Sequence, residues 1–521
     1  MARSTAEREA ADAPPGTGSG SRPARRGADL WWGLPGAAVG ALVIWAAHRG
    51  LIDDAYITLD YVRNVASDLH WGLIPTEESN AATSPLNVLM LSLATGLVSL
   101  VSGGVDPVHG LVLLTVVLSA ALAVWAAQTA RRLGVSRAWS LAVLAVVFAN
   151  PFVNSALGLE VLPISAFLMG LTAQAVGGRR VAFGILAGLL VLTRLDLGIV
   201  VAVVYLLTPA LRRRWWVAPA VASAVALPWY AFSWWHFGSA IPTTFVIKTL
   251  QRSFGDLTFF NGLWTLWAPR GGLPFALAVA PAAVGVVTVV TLGVIGVRRR
   301  LPAHLWPVAA VGLGGLAYYA AYSLLQVPPY QWYYVPSTVA LGLAGVFGLA
   351  LVLRQTAPAA GRRVVRRTAP LVVAALLGGL AFVSLDGRAL PWQYPVYFGA
   401  WALPDEYRTI GAAVGAEIGE GTVLAPGEIG TLAYGCDCSM VDMFSDPGIT
   451  LALVEQRIDQ AGPVGQFLLE LNFTRLDRDQ EPRELDYRLV WTQDDVPPGV
   501  RWWPTDSPAT GPAVLYLEPV G

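Results

Sequence analysis

Apolar runs of membrane-spanning length, set apart by tight clusters of Arg, decide what this chain can fold into. From residue 84 onward the runs fall at about 86–101, 108–130, 138–152, 160–177, 181–211, 215–236, 273–297, 305–326, 333–353 and 369–386, where roughly 20 residues make one helical span. With 55% hydrophobic and 13% charged residues, lipid is the expected main solvent, and the chain reads as a polytopic α-helical membrane protein. Its net charge is zero and its Arg residues are confined to short clusters. It therefore offers no broad basic face, and nucleic acid is excluded as a partner.

The Arg clusters also give orientation. They stand at Arg131/Arg132/Arg137, Arg179/Arg180, Arg212 to Arg214, Arg298 to Arg300, and Arg362/Arg363/Arg366/Arg367. The positive-inside rule places all of them in the cytoplasm. Residues 1–29, rich in Ala, Gly, Ser, Pro and Arg, read as a disordered cytoplasmic tail, and residues 30–50 as a first, uncleaved span. If 86–101 crossed the membrane, the cluster at 131 would lie outside. Every cluster is satisfied if 86–101 is instead re-entrant or interfacial and 181–211 is a hairpin of two short helices broken at Thr193-Arg194-Leu195-Asp196. About eleven spans result, the N-terminus inside and the C-terminus outside. Aromatic residues near the ends of runs, among them Trp31, Trp32, Trp215, Trp216, Trp234, Trp235, Trp332, Tyr333 and Tyr334, match interfacial belts.

This topology divides the chain into the tail 1–29, a transmembrane domain 30–387 with a first outer loop 51–85, and a region 388–521 of different composition. In the loop, Ile57, Tyr61, Val62, Val65, Ala66 and Leu69 share one helix face and Thr58, Asp60, Arg63, Asn64, Ser67 and Asp68 the other. That pattern predicts an amphipathic helix on the outer interface. The last region, with strand-like runs at Thr422–Ala425 and Tyr487–Trp491, reads as an extracytoplasmic soluble α/β domain. Its Cys436 and Cys438 lie on the oxidising side; a bridge there closes a short, strained ring, and two free thiols are an equal reading.

Asp53 and Asp54, directly after the first span, are the most unusual pair. One acid suffices to cap a helix, and adjacent helical residues point about 100° apart, so the two are expected to do different work. Glu160 either caps the run that it begins or faces the same site. Arg194 and Asp196 form either an internal salt bridge or part of a binding site. Lys248, the single Lys of a chain otherwise supplied with Arg, is either a solvated loop cation or a phosphate ligand. His70 reads either as a surface histidine or as a base. The run Tyr330 to Tyr334 belongs to the aromatic belt or to a sugar-stacking wall.

The stretch Asp53-Asp54-Ala55-Tyr56-Ile57-Thr58-Leu59-Asp60-Tyr61-Val62-Arg63-Asn64 resembles the first outer loop of GT-C membrane glycosyltransferases, most of all the actinobacterial arabinofuranosyltransferase-like group that uses polyprenyl-phosphate sugars. Further matches follow in order at Thr83–Asn87, Ala156–Glu160, Leu192–Asp196, Ile241–Lys248, Gly427–Tyr434 and Val441–Asp442. The chain departs from that group after His70 and at Asp196, which bears on donor and acceptor identity. The resemblance implies an inverting transfer, with arabinofuranose among the candidate sugars, to an envelope glycan or lipid-linked acceptor. Asp53 is then the first choice of base with Asp54 in support, or one of the two holds a divalent cation. Lys248 and Arg194 would meet the leaving phosphate, with Glu160, Asp196 and His70 as further substrate contacts. The competing classes are a lipid or polymer transporter and a non-catalytic envelope scaffold. Transporters favour inverted repeats with charges near the midplane, whereas here the charges gather on one face.

Overall fold

The computed structural model describes residues 26–250, 254–298, 301–356, 362–385 and 387–520. The tail expected over residues 1–29 therefore lies outside the described residues as far as residue 25. From Arg26 the chain is already helical, a 3-10 turn Arg26–Trp32 running directly into α1 (Gly33–Ala47). Asp29, almost wholly buried, explains why: Arg131 Nε and Arg137 Nε reach its carboxylate at 2.9 and 2.6 Å.

Those two cations belong to the far end of α4 (Pro107–Arg132) and the turn after it. α1 and α4 lie antiparallel, Gly33 facing Val124 and Gly40 facing Ser119 and Thr115. Small residues let the two backbones approach closely. The end of α1 and the start of α4 consequently share one end of the bundle. Between them in the chain come α2 (Asp53–Asp68) and α3 (Pro85–Ser102). α3 is one of seven helices among the described residues long and apolar enough to cross a membrane. Even so, its Thr95 packs on Gly110, one turn into α4, and four residues join its end to α4. α3 presents Leu93, Leu97, Leu100 and Val101 outward.

The helices Trp139–Phe148, Val161–Val176, Arg180–Thr193, Gly198–Leu207, Val217–His236, Gly272–Arg298, Trp306–Leu324, Val335–Thr356 and Arg362–Val383 complete the bundle. Val161–Val176 and Val335–Thr356 are its centre, buried along almost their whole length. The stretch 181–211 breaks at Arg194, whose backbone is extended, as the Arg clusters require.

After the bundle come β1 (Thr422–Leu424), β2 (Ser439–Val441), β3 (Tyr487–Thr492), β4 (Arg501–Ser507) and β5 (Gly511–Pro519). They make one mixed sheet in the order β2-β1-β3-β5-β4, with β1 parallel to β2 and β3, and β5 antiparallel to β3 and β4. Four helices, Pro404–Ile418, Gly430–Cys436, Pro447–Asp459 and Pro463–Asn472, surround it. Cys436 and Cys438 are joined by a disulfide.

This α/β unit docks on α2 and corrects the reading of that helix as one lying on a membrane surface. Asp60 and Asn64, placed by periodicity on a solvated face, are buried. Arg63 pairs with Asp60 at 2.9 Å and donates to the carbonyl of Tyr434, while Asn64 donates to the carbonyls of Gly72 and Leu73. Gly430 makes the contact feasible: a Cβ there would meet the backbone of Asp53 and would lie 2.8 Å from Ile57 N. α2 is thus enclosed between the bundle and the sheet unit.

Candidate functional site

The acidic pair at the start of α2 separates in space. Ile52 is extended and ends the preceding turn, so Asp53 and Asp54 occupy the first two helical positions and neither caps α2. Asp53 points at the sheet unit and, at 8% exposure, accepts from three backbone N–H groups: Thr431 at 2.7 Å, Gly430 at 3.1 Å and Ile429 at 3.2 Å. These are the orphan donors at the start of Gly430–Cys436, so Asp53 caps a helix 376 residues away in the chain. Burial lifts its carboxyl to about 6 against the pull of the Thr431 amide, and the Asp54 charge adds to the rise.

Asp54, one residue further round the helix, lines a cavity of about 680 Å³ together with Glu160, Lys248, Glu428 and Asp442. Burial raises its carboxyl above the ordinary range, and Lys248 draws it back. Lys248 ends the short helix Thr243–Lys248. The loop after α2 holds that helix in place: Thr243 N donates to the carbonyl of Asn80 at 2.9 Å and Thr244 Oγ1 to that of Ala81 at 2.8 Å. The ammonium lies 5.5 Å from the centre of the Tyr330 ring, and among the described residues no carboxylate lies within ion-pair distance of it. Burial works to discharge the lysine, but Tyr333, Asp54 and Tyr330 outweigh it and its pKa is raised.

A second cavity, about 380 Å³, lies on the other side of Lys248. Thr83, Arg194, Lys248 and Tyr333 line both. The smaller one sets Ile199, Ile241, Phe245, Leu324 and Val327 beside the charged Arg194, Asp196, Lys248 and Arg457. The two chambers thus share two cations, Arg194 and Lys248.

The sequence matches no protein-family model and no curated protein. Among solved structures, ArnT from Cupriavidus metallidurans in the apo state superposes with a TM-score of 0.55 over 94% of this chain and 98% of its own, at 13% identity. The apo oligosaccharyltransferase of Archaeoglobus fulgidus gives 0.52 over 88% and 69%, at 12% identity. This chain has the GT-C fold. Arabinofuranosyltransferase AftD from Mycobacteria overlaps at a TM-score of 0.45 and 41% of its length, a likeness that carries no argument. The GT-C fold and the apolar helices make this a multi-pass membrane protein.

Within the GT-C fold, the residues singled out by sequence divide into three groups. Asp53, Asp54, Glu160, Arg194 and Lys248 line the larger cavity. Arg194, however, is fully engaged. Glu160 Oε1 lies 2.8 Å from its Nη1, Asp196 Oδ2 lies 2.7 Å from its Nη2, the Tyr322 hydroxyl is at 2.6 Å and the Tyr333 ring at 4.8 Å. The internal salt bridge is the observed arrangement, whereas Lys248, among the described residues, has no carboxylate within ion-pair distance. Glu160 pairs with Arg194 rather than capping its helix. Asp196 belongs to the smaller cavity, held by Arg194, Tyr318 and Tyr322. His70 lines neither cavity: its Nε2 sits 2.9 Å from Glu77 O and 3.0 Å from Ile74 O, bracing the loop. Trp332, Tyr333 and Tyr334 are buried, so this run is a wall of the site and not part of a surface belt.

Two carboxylates were not selected as site residues, although the matching runs Gly427–Tyr434 and Val441–Asp442 contain them. Glu428 Oε2 accepts from Trp401 N at 2.9 Å and from Tyr407 Oη at 2.7 Å, and burial lifts its carboxyl to about 8, with Asp53 adding to the rise. Asp442 Oδ1 accepts from Ser445 N, Ser445 Oγ and Phe444 N at 2.8 to 2.9 Å. Both come from the α/β unit, which therefore closes the cavity. As for a divalent cation, no three His, Cys, Asp or Glu side chains among the described residues gather closely enough to hold one. With Asp53 committed to amides and Glu160 to Arg194, the donor set does not fit a metal centre.

Proposed function

We propose that this chain is an inverting membrane glycosyltransferase that moves a sugar from a polyprenyl-phosphate donor to an envelope glycan or lipid-linked acceptor at the outer face of the plasma membrane. One observation carries the reading: a chamber lined with the carboxylates Asp54, Glu160, Glu428 and Asp442 joins, at Lys248, a second chamber whose wall includes Ile199, Ile241, Phe245, Leu324 and Val327. A lipid phosphate offers an apolar chain to those side chains and an anionic head to the lysine. The GT-C fold supports glycosyl transfer as the reaction class. The arabinofuranosyl reading rests on the ordered sequence motifs alone.

In this reading the polyprenyl chain occupies the second chamber and its phosphate meets Lys248. An acceptor hydroxyl in the larger chamber attacks the anomeric carbon in line with the leaving group. The new glycosidic C–O bond forms, the anomeric C–O bond to phosphate breaks with its electron pair going to the phosphate, and the hydroxyl proton passes to a carboxylate. Asp54 is the better base of the pair, because three amide donors reduce the basicity of Asp53. Lys248 stabilises the charge that develops on the departing phosphate. Trp401 and the Tyr330–Tyr333 wall offer flat faces to sugar rings.

The end of the bundle remote from the cavities supports the membrane orientation. Arg131 and Arg137 hold Asp29 there, and Arg354 and Arg366 donate to the carbonyls of Leu133 and Gly134, a positive surface suited to the cytoplasmic side. Envelope glycans and lipid-linked intermediates from a deletion strain complemented with wild type or Asp54→Asn test the proposal. Loss of one glycosidic linkage with Asp54→Asn at normal protein level is expected, and terminal arabinose among the lost residues identifies the sugar. An unchanged glycan in both the deletion strain and the Asp54→Asn strain overturns the assignment.

A further inference from the structure

The helix Pro463–Asn472 carries an apolar stripe that no described residue covers. Val464, Phe467, Leu468 and Leu471 follow the i, i+3, i+4, i+7 spacing of one helix face and are 74%, 63%, 56% and 54% exposed. The helix has two other faces. Asn472 is buried against the bundle, its Oδ1 accepting from Ile241 N at 2.9 Å, and Leu469 packs inward beside Phe473. Gln466 and Glu470, joined at 3.1 Å, make a polar outer face. Four large apolar side chains on a ten-residue helix are out of place in water, and they suit the boundary between lipid headgroups and acyl chains.

The position of the helix agrees. Its last turn is tied to the end of Val217–His236, where Trp234 Nε1 donates to the carbonyl of Leu471 at 3.2 Å. Arg475 follows, its guanidinium 4.0 Å from the Trp235 ring centre and 5.7 Å from that of Trp234. Val217–His236 is long and apolar enough to span a bilayer, and its Leu227, Phe232 and Trp235 are exposed. The stripe thus continues a lipid-facing surface at the aromatic and cationic end where such surfaces meet water.

We propose that Pro463–Asn472 lies in the bilayer interface with Val464, Phe467, Leu468 and Leu471 immersed, and so holds the α/β unit down on the membrane. The helix is next to the smaller cavity, whose wall includes Ile241, Phe245 and Arg457, so the immersed stripe borders the route from the lipid into that chamber. The inference rests on Val217–His236 crossing the membrane and is independent of the transfer reaction.

The test uses the full chain in nanodiscs of phosphatidylcholine and phosphatidylglycerol. Both native cysteines are in the disulfide, so a single added Cys is a unique label site. Phe467→Cys and, on the polar face, Glu470→Cys are each labelled with bimane, with Val464→Cys replacing Phe467→Cys if the latter is not monodisperse. Quenching is measured with spin-labelled lipid and with aqueous iodide. Lipid quenching about threefold or more stronger at the apolar site, with iodide in the reverse order, is expected of an immersed stripe. Equal lipid quenching at both sites overturns the proposal. Protection of the apolar site from both quenchers also overturns it, since that marks a protein partner or a second copy on this face.

Discussion

Replacing Asp53 tests the division of labour within the acidic pair. Asp53→Ala removes the acceptor of three amide protons, one at 2.7 Å and two above 3 Å, and leaves those N–H groups at a buried junction. A hydrogen bond to a charged group contributes about 1.5–3 kcal/mol. One good and two long bonds, offset by the cost of burying the carboxylate, leave about 3 kcal/mol of docking between α2 and the sheet unit. At about 1.4 kcal/mol per factor of ten, the amides of Ile429, Gly430 and Thr431 should exchange about 100-fold faster wherever local opening governs exchange. The assay is hydrogen–deuterium exchange with mass spectrometry on the intact protein in nanodiscs. Asp54→Asn, which touches none of these amides, should leave their exchange unchanged and lower transfer by about 10²–10⁴. The reasoning fails if Asp53→Ala leaves the three amides protected while transfer falls as far as with Asp54→Asn, because Asp53 would then be acting on substrate.

Lys248→Ala should lower kcat by about 10²–10³ and weaken product inhibition by free polyprenyl phosphate, measured in the same transfer assay; unchanged inhibition would place the phosphate elsewhere. Arg194→Ala strands Asp196 and Glu160 in a buried setting, at a cost of about 3–5 kcal/mol. A lowered Tm and a lowered yield in membranes are expected, and a variant of normal stability that fails only with donor would show Arg194 to be a ligand. Glu428 titrates near 8 in the folded protein against 4.5 for a free glutamate. The folded state therefore binds the extra proton between those values, and this contribution to stability is present below about 4.5 and is lost as pH rises through about 8. Tm measured from pH 5 to 9 should fall more steeply in wild type than in Glu428→Gln, and parallel curves would refute the raised value.

Spans and charges were legible in the sequence because lipid imposes them locally. A run needs its length and an Arg cluster needs its side, so the break at Arg194 could be placed by counting alone. The same logic read 86–101 as re-entrant or interfacial, whereas α3 is by length and composition one of the helices able to cross a membrane. Periodicity fails where a second layer arrives from far along the chain. The polar face of α2 looked like a water-facing surface, yet residues near 430 cover Asp60 and Arg63, and Asn64 is held by the loop that follows the helix. The aromatic run at 330–334 left two readings open for a related reason: belt and buried wall have one composition, and only packing separates them.

The acidic pair shows the limit most sharply. A helix turns about 100° per residue, which is enough to say that Asp53 and Asp54 face different neighbours but not which neighbours those are. Asp53 meets the amino end of a helix that begins at Gly430, a position where any side chain would strike the backbone of α2. The carboxylate and the glycine are two halves of one joint. That joint holds the sheet unit, and with it Glu428, Trp401 and Asp442, at the cavity wall. The first choice of base thus has a part in assembly as well, and the proposal above gives the proton transfer to its neighbour. A side chain at position 430 would meet the Asp53 carbonyl oxygen whatever residue 53 carries, so replacing Gly430 should undo the joint even in a chain that keeps Asp53.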